Sequence, residues 1–275
     1  MWNQKKPPQV DISKEQSLFL DRIEKRKHRI LWIQIALLVS FFVLWEVAAI
    51  CRWIDPFIFS QPTRMFQSAI AMIQDGTLFY HVFTTLWETV VGFLLGTLLG
   101  TLIAVLLWWN PFVCDVLEPY LVVLNALPKT ALAPIIIVWI GNNQKSIIAV
   151  ALFTSVIVTI MNVLTGFLQI DQEKIKLIQV FGGSKMQTLK KVVFPANIPC
   201  ILNALKINVG LSFVGVIVGE FLVAQAGLGF LIVYGSQVFK LDWVMLSVIV
   251  LAILAACMYQ SIALFEKFLL RKRHL

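Results

Sequence analysis

The side chains with chemical capacity in this sequence are few, widely spaced and set in apolar surroundings. Lys129, Lys206, Glu46 and Glu220, with the neutral polar residues Asn125, Thr130, Asn162, Asn203, Asn208 and Ser212, interrupt long runs of Leu, Ile, Val and Phe. Isolated ions and amides in such runs suit the passage of a polar solute through an apolar body. Bond-making chemistry would need acid, base or metal groups converging on one point. The spacing offers no such convergence. His28, His81 and His274 lie far apart and outside the apolar runs, and Cys51, Cys114, Cys200 and Cys257 form no CxxC pair. There is no GxxxxGK[ST] loop and no HExxH pair. The expectation is a chain with no catalytic residue, no metal site and no cofactor of its own, whose cysteines pack without pairing.

These residues are positioned by helices that the composition places in a membrane. The chain has 275 residues, 59% hydrophobic and 14% charged, with mean hydropathy +0.84. Average soluble domains are roughly 45–50% apolar and about 25% charged. A soluble enzyme, a disordered chain and a nucleic-acid module are thereby excluded as the main reading. A bilayer core of about 30 Å needs roughly 20 apolar helical residues, and six stretches qualify: Ile30 to Cys51, Leu86 to Trp109, Pro119 to Ile140, Ser146 to Leu168, Ile201 to Val223 and Trp243 to Phe265. The expected fold class is therefore an all-α integral membrane protein with six transmembrane helices. Residues 1–29 form an N-terminal tail, 30–265 the membrane domain and 266–275 a basic tail. The first stretch is too long, and too poorly followed by small residues, for a cleavable signal peptide.

Charge sets the expected orientation. Of the 23 lysines and arginines, 17 fall in the first 29 residues, in the segment between spans four and five, and in the tail. With six spans these share one side; the opposite loops hold only Arg52, Arg64, Lys145 and Lys240. The positive-inside rule then puts both termini and residues 166–199 in the cytoplasm. The net charge of +8 reflects those loops, not nucleic-acid binding. Ser13 to Lys27 reads as an interfacial helix, Thr63 to Gln74 as a short outer helix ended by Asp75-Gly76, and the outer segment 224–242 as Gly227 to Gly229 followed by an amphipathic stretch.

Three features inside the membrane domain stand out. Gly92, Gly96 and Gly100, four apart, line one stripe of span two, and Gly215 and Gly219 repeat the pattern in span five; a neighbouring backbone can approach there, as static packing or as a sliding contact. In span three, Pro128 and Pro134 flank Lys129 and Thr130, with Asn125 just upstream, so this helix is expected to be irregular. Two roles stay open for Lys129, bordering a polar passage or snorkelling to an interface. Lys206, about 10 Å inside the inner boundary at 1.5 Å per residue, is likewise either a pathway cation or an anchor. Glu220 is an interfacial acid or a gate element; Glu46 and Glu88 read as near-interface or helix-contact residues. Asn162, Asn208 and Ser212 are candidates to line the passage. Trp108, Trp109, Trp139 and Trp243 read as interfacial belts.

The segment 171–195 reads as two short helices around a Gly-Gly break. Asp171 caps the first, Glu173 suits its first turn, Gly182-Gly183 stops it, and Ser184 with Gln187 forms a capping box for the second. Met186, Leu189 and Val193 share one face, and Pro195 and Pro199 are expected to end that helix before span five. Such a hairpin, carrying Ile175, Ile178, Phe181 and Met186 between two spans, suits docking to a cytoplasmic partner; the alternative is packing on the chain's own loops.

The hairpin also carries a resemblance. Gly182, nine residues, and then Val192-Val193-Phe194-Pro195 resembles the G-x9-I-x-L-P half of the EAA signature of permease subunits of bacterial ATP-binding-cassette importers. The resemblance covers about Phe57 to the C-terminus and is closest to the nitrate/sulfonate/taurine type, which includes permeases for pyrimidine thiamine precursors. Further strings carry it: QPTRMFQS, GFLLGTLLG, ALPKTALAPIIIVWIG, PANIPCILNALKINVG and GEFLVAQAGLGFLI. Lys176, Leu177 and Ile178 stand where Glu-Ala-Ala is expected, with Glu173 one turn upstream. The resemblance implies two such subunits, as a homodimer, around a pathway in the bacterial cell membrane. Two cytoplasmic ATPase subunits would bind the ATP and receive the hairpins, and an extracytoplasmic solute-binding protein would deliver the solute. Glu173, Ile175, Ile178, Phe181, Gly182, Gly183, Ser184, Met186, Leu189 and Pro195 would form the ATPase-coupling surface. The solute would be a sulfonate-, nitrate- or taurine-like anion or a pyrimidine-type precursor. An ion-coupled carrier would instead need paired midplane carboxylates and an inverted repeat, and a membrane enzyme would need converging reactive groups.

Overall fold

The computed structural model describes residues 14–273, and among them every element is a helix or a turn. Expectations for residues 1–13 and His274 lie outside this range. The chain divides into two bodies, residues 14–63 and 64–273.

The first body is built on α1, Lys14–Ile50. The expected interfacial helix and the first span are thus one continuous helix. Its exposed flank carries Trp32, Leu37, Phe41 and Leu44. The short α2, Pro56–Phe59, is capped by Asp55, whose carboxylate accepts from the Phe57 amide at 2.9 Å. Glu46, an acid that looked uncomfortable in an apolar run, is partnered: its carboxylate accepts from the Thr63 amide at 3.0 Å and the Thr63 hydroxyl at 2.6 Å.

The second body begins in α3, Pro62–Gln74. Asp75 and Gly76 end it as expected, and Asp75 restarts the chain by accepting from the Thr77 amide at 2.9 Å. The Thr77 hydroxyl and amide together hold the Asp75 carboxyl below its usual range. Gly76, left-handed at φ +75°, then leads into α4, Thr77–Trp109, which starts nine residues earlier than the apolar run alone suggests. His81, expected outside the spans, therefore lies on this helix. Then come α5, Pro111–Ala126, a 3₁₀ turn at Lys129–Leu132, and α6, Ala133–Ile140. The α5 pair with residues 129–140 is bent by 88°, so five helices are long and apolar enough to cross a membrane, and six if this broken pair counts as one span. The break falls at Leu127-Pro128, where Pro128 forces the preceding residue into extended backbone. Pro134 sits at the start of α6, where its missing donor costs nothing.

Helix α7, Gln144–Leu168, is capped by Asn143. After it come α8, Gln172–Val180, α9, Lys185–Thr188, and α10, Phe194–Val223. The expectation that Pro195 and Pro199 end the second hairpin helix is corrected: residues 185–223 run as one helical length. A wide turn at Leu189–Val193, in which the Phe194 amide donates to the Leu189 carbonyl, resets the ladder. Pro195 then falls in the first turn of α10, where no donor is required, and Pro199 is carried inside the helix. The chain closes with α11, Leu228–Gln237, and α12, Leu241–Arg273, which takes in most of the expected basic tail.

Helix α7 is the centre of this body. It is apolar on nearly every side and is gripped between α4 and α10. The grip is set by small residues. A Cβ on Gly92 would lie 2.7 Å from Ala151 Cβ, one on Gly100 2.5 Å from Thr159 Cβ, and one on Gly96 would collide with Ser155. From the other side, a Cβ on Gly215 would lie 2.6 Å from Ala151 Cα and one on Gly219 3.0 Å from Ile147 Cγ2. Both glycine stripes foreseen in spans two and five therefore meet one helix.

Candidate functional site

The segment 171–193 folds as its sequence chemistry requires. The Asp171 side chain accepts from the Glu173 amide at 2.9 Å, leaving Glu173 in the first turn of α8, where the helix dipole favours an acid. At the far end Gly182 adopts φ +73°; its amide donates to Gln179 O and the Gly183 amide to Ile178 O, both at 2.9 Å. This double closure is the Schellman arrangement, and its left-handed position strains any residue with a Cβ. Ser184 and Gln187 form the capping box, with the Ser184 amide donating to Gln187 Oε1 at 2.7 Å.

The hairpin has a buried root and an exposed tip. Leu189 and Val193 pack with Leu164, Phe167 and Leu107, and Ile175 flanks that cluster. Ile178 is half-buried beneath Gly183. Leu177, Val180, Phe181 and Met186 face outward, Val180 and Phe181 being 82% and 81% exposed. Met186 thus does not share the buried face of Leu189 and Val193; it precedes the wide turn, which rotates the two faces apart. One contact was not legible in the sequence. Lys185 Nζ donates to the Trp109 carbonyl at 2.6 Å and stands 5.8 and 5.7 Å from the Trp108 and Trp109 rings. A cation on the last carbonyl of α4 is favourable to that helix end. Trp108 itself packs on Phe167 at 6.4 Å, a core contact beyond any belt position.

The polar residues singled out for a passage fall into four separate places. Lys129 donates to both the carbonyl and the side-chain oxygen of Asn125 at 3.1 Å, closing the end of α5 at the bend, with Thr130 exposed beside it. In the α4–α7–α10 seam Asn208 donates to Thr159 Oγ1 at 2.6 Å and Thr97 Oγ1 at 3.2 Å, while Ser212 is fully buried; Asn162 offers its carbonyl to the Cys200 thiol at 3.2 Å. Lys206 is paired with Glu266 of α12, a partner the spacing did not announce.

Glu220 belongs to a fourth group, at the end of the bundle away from the hairpin. It is 1% exposed; its carboxylate accepts from the Thr85 hydroxyl at 2.7 Å and the Gly229 amide at 2.5 Å. Thr85 Oγ1 also accepts from the Leu228 amide at 2.8 Å, and His81 Nδ1 accepts from the Gly227 amide at 2.9 Å. His81, Thr85 and Glu88 sit four and three apart on one side of α4, so the Gly227 and Leu228 amides and the Glu220 carboxylate are bound to a single helix face, while the Gly229 amide is held by Glu220 itself. That spacing was the available signal. It was missed because the hydropathy run begins only at Leu86. Among the described residues, no three His, Cys, Asp or Glu side chains are gathered as a metal set would require, and the four cysteines are free thiols.

Comparison with known proteins agrees with this architecture. Residues 96–274 match the family described as the binding-protein-dependent transport system inner membrane component. The chain is 24% identical to the Escherichia coli taurine transport system permease protein TauC over 81% of its own length and 83% of that protein. It is 29% identical to the formylaminopyrimidine transport permease protein ThiX of Halalkalibacterium halodurans over 68% and 74% respectively. Its fold is similar to a chain of the MetNI methionine ABC transporter in an inward-facing conformation, with TM-score 0.58 and 19% identity, covering 67% of this chain and 92% of that one. A chain of apolar helices, two small-residue seams on one central helix and a capped hairpin, matched by this family over well over half its length, belongs to the permease family of binding-protein-dependent ABC importers.

Proposed function

We propose that this protein forms one half of the solute pathway of an ABC importer in a bacterial inner membrane, and that the 171–193 hairpin is its docking element for a cytoplasmic ATPase subunit. The observation that carries the reading is the hairpin's division of labour. Its tip presents Leu177, Val180, Phe181 and Met186 to the outside. Its root is helically continuous with α10 through the turn at 189–193. A displacement of the tip is thus transmitted along a rigid rod into the seam with α7. The lysines at 174, 176, 185, 190 and 191 support a cytoplasmic position for this end, with both termini on the same side.

In this reading ATP binding closes a pair of partner ATPases, and two copies of this chain each receive the motion through one hairpin. A solute-binding protein delivers the solute at the other end. The relatives' names support a small solute of either the sulfonate or the pyrimidine type. The test is ATP hydrolysis by the chain co-purified with its ATPase subunit, with and without the loaded binding protein. Stimulation is expected, and Val180→Asp with Phe181→Asp should abolish it while leaving membrane insertion intact. Uptake that persists without any ATPase subunit overturns the reading.

A further inference from the structure

Helix α1 runs from Lys14 to Ile50 as one element, so the basic stretch before the first span is carried rigidly into it. Arg22, Arg26 and Arg29 fall at i, i+4 and i+7 and share one face of this helix. All three are exposed, and none is ion-paired among the described residues. The acids of the stretch are placed elsewhere. Asp21 is taken by Lys25 at 2.7 Å, and Glu24 lies with Lys27 and His28 beside Ile23 and Leu31 on the other side of the helix. Trp32, 69% exposed and one turn beyond Arg29, suits the membrane–water boundary. Measured along the helix at 1.5 Å per residue, Arg29, Arg26 and Arg22 then stand about 4.5, 9 and 15 Å outside it. The headgroup layer is about 5–8 Å deep on each side of a bilayer. Arg29 and Arg26 are therefore held at headgroup depth, and the long side chain of Arg22 can fold back towards it.

We infer that Arg22, Arg26 and Arg29 form a site for the phosphate groups of acidic phospholipids such as phosphatidylglycerol. A guanidinium fork binds phosphate oxygens in pairs, which a point-charge ammonium does not. The three forks are free of carboxylates and are spaced along the layer where the phosphates lie. A basic cluster directly cytoplasmic of a span has this electrostatic preference in general; here the arginine face and the unbroken helix give it an address. The inference rests on the permease reading, which puts this end of α1 at the cytoplasmic surface of a bacterial inner membrane. An acidic face of the ATPase subunit is the other surface that could meet these arginines. It is disfavoured because a soluble partner would have to displace lipid to reach Arg29 and Arg26.

The chain is co-purified with its ATPase subunits in a neutral detergent and titrated with phosphatidylglycerol and, separately, with phosphatidylcholine. The readout is the melting temperature, which rises when a ligand binds the folded form. Phosphatidylglycerol should give a saturable rise that weakens at high salt, and phosphatidylcholine none. Each arginine replaced by glutamine should raise the midpoint of the titration about fivefold, and all three together on the order of a hundredfold. Lys27→Gln, on the other side of the helix, should leave it near the wild-type value. If the triple variant does not insert, Arg26→Gln alone carries the test. Equal responses to the two lipids, an unchanged midpoint in the arginine variants, or a shift in Lys27→Gln as large as that in Arg26→Gln overturns the inference. If inorganic phosphate without lipid gives the same rise, and the arginine variants lose it, the ligand is free phosphate and the lipid assignment falls. If the arginine variants shed the ATPase subunit while their phosphatidylglycerol midpoint stays unchanged, that subunit is the partner and the lipid assignment falls too. Stimulation of hydrolysis by a loaded binding protein, measured on the same wild-type sample, reports on the permease reading independently: stimulation without a phosphatidylglycerol response removes only the lipid site.

Discussion

Glu220 is held by donors from two other parts of the chain, the Thr85 hydroxyl on α4 and the Gly229 amide at the start of α11. The carboxylate therefore closes the turn after α10 onto α4. Replacing it with Ala leaves two buried donors without an acceptor, at roughly 1–3 kcal/mol each. Glu220→Gln keeps an acceptor oxygen, so its melting temperature in detergent should lie between those of Glu220→Ala and the wild type. Equal melting temperatures for Ala and Gln would show that the hydrogen bonds contribute nothing. His81 should behave as part of the same unit: His81→Leu removes the acceptor of the Gly227 amide. In a double-mutant cycle with Glu220→Ala, its effect on melting should be non-additive. Neither residue type announces this role. A buried acid and a histidine 139 positions apart (81 and 220) become neighbours only because α4 and α10 pack on the same helix.

At the scale of elements, the glycine seams and the hairpin turn can be tested separately. Gly96 faces Ser155 with no room for a Cβ, whereas a Cβ on Gly210 meets nothing within 4 Å. Gly96→Leu should overpack the α4–α7 seam by about 1–3 kcal/mol or more, seen as loss of monodisperse protein. Gly210→Ala should stabilise α10 by about 0.5–1 kcal/mol through backbone entropy, read as a higher melting temperature in the same assay. In the hairpin, Gly182→Val forces a β-branched residue to φ +73°. A cost of about 1–2 kcal/mol is expected, reported by faster amide exchange of α8 while the spans stay protected. Unchanged exchange would show that the turn tolerates side chains. The wide turn at 189–193 explains why two prolines fail to break the chain here: the helix has already shifted its ladder before Pro195 arrives.

For the whole molecule, the tie between Lys185 and the Trp109 carbonyl connects the hairpin to the end of α4. With α10 continuous behind it, the hairpin is anchored to two of the three helices that meet in the central seam. Lys185→Met should leave insertion and ATPase binding intact while lowering binding-protein-stimulated hydrolysis severalfold, because the tip would then move without α4. Stimulation at the wild-type level in that variant would mean that α10 alone carries the motion. The Lys206–Glu266 pair ties α10 to α12 in the same body. Lys206→Met and Glu266→Gln should therefore have overlapping effects on uptake, each masking the other in the double variant.

Much of this was legible in the residues. Hydropathy run lengths located the spans because a bilayer demands about twenty apolar residues. Asp171, Gly182 and Ser184 located the hairpin because capping is a local interaction between residues a few positions apart. Gly92, Gly96 and Gly100 announced a close helix approach for the same reason, since four residues make about one turn. What faces what was not local. That the partner of both glycine stripes is α7, that Lys206 meets Glu266, that Glu46 is answered by Thr63, and that Glu220 holds the Gly-Leu-Gly turn all depend on which helices pack together. Helix pairing is decided by complementarity summed over whole surfaces. The sequence by itself thus determined the elements, their ends and the kind of protein; only the tertiary structure decided the partners of its buried polar groups, because those groups find their donors across helices and not along them.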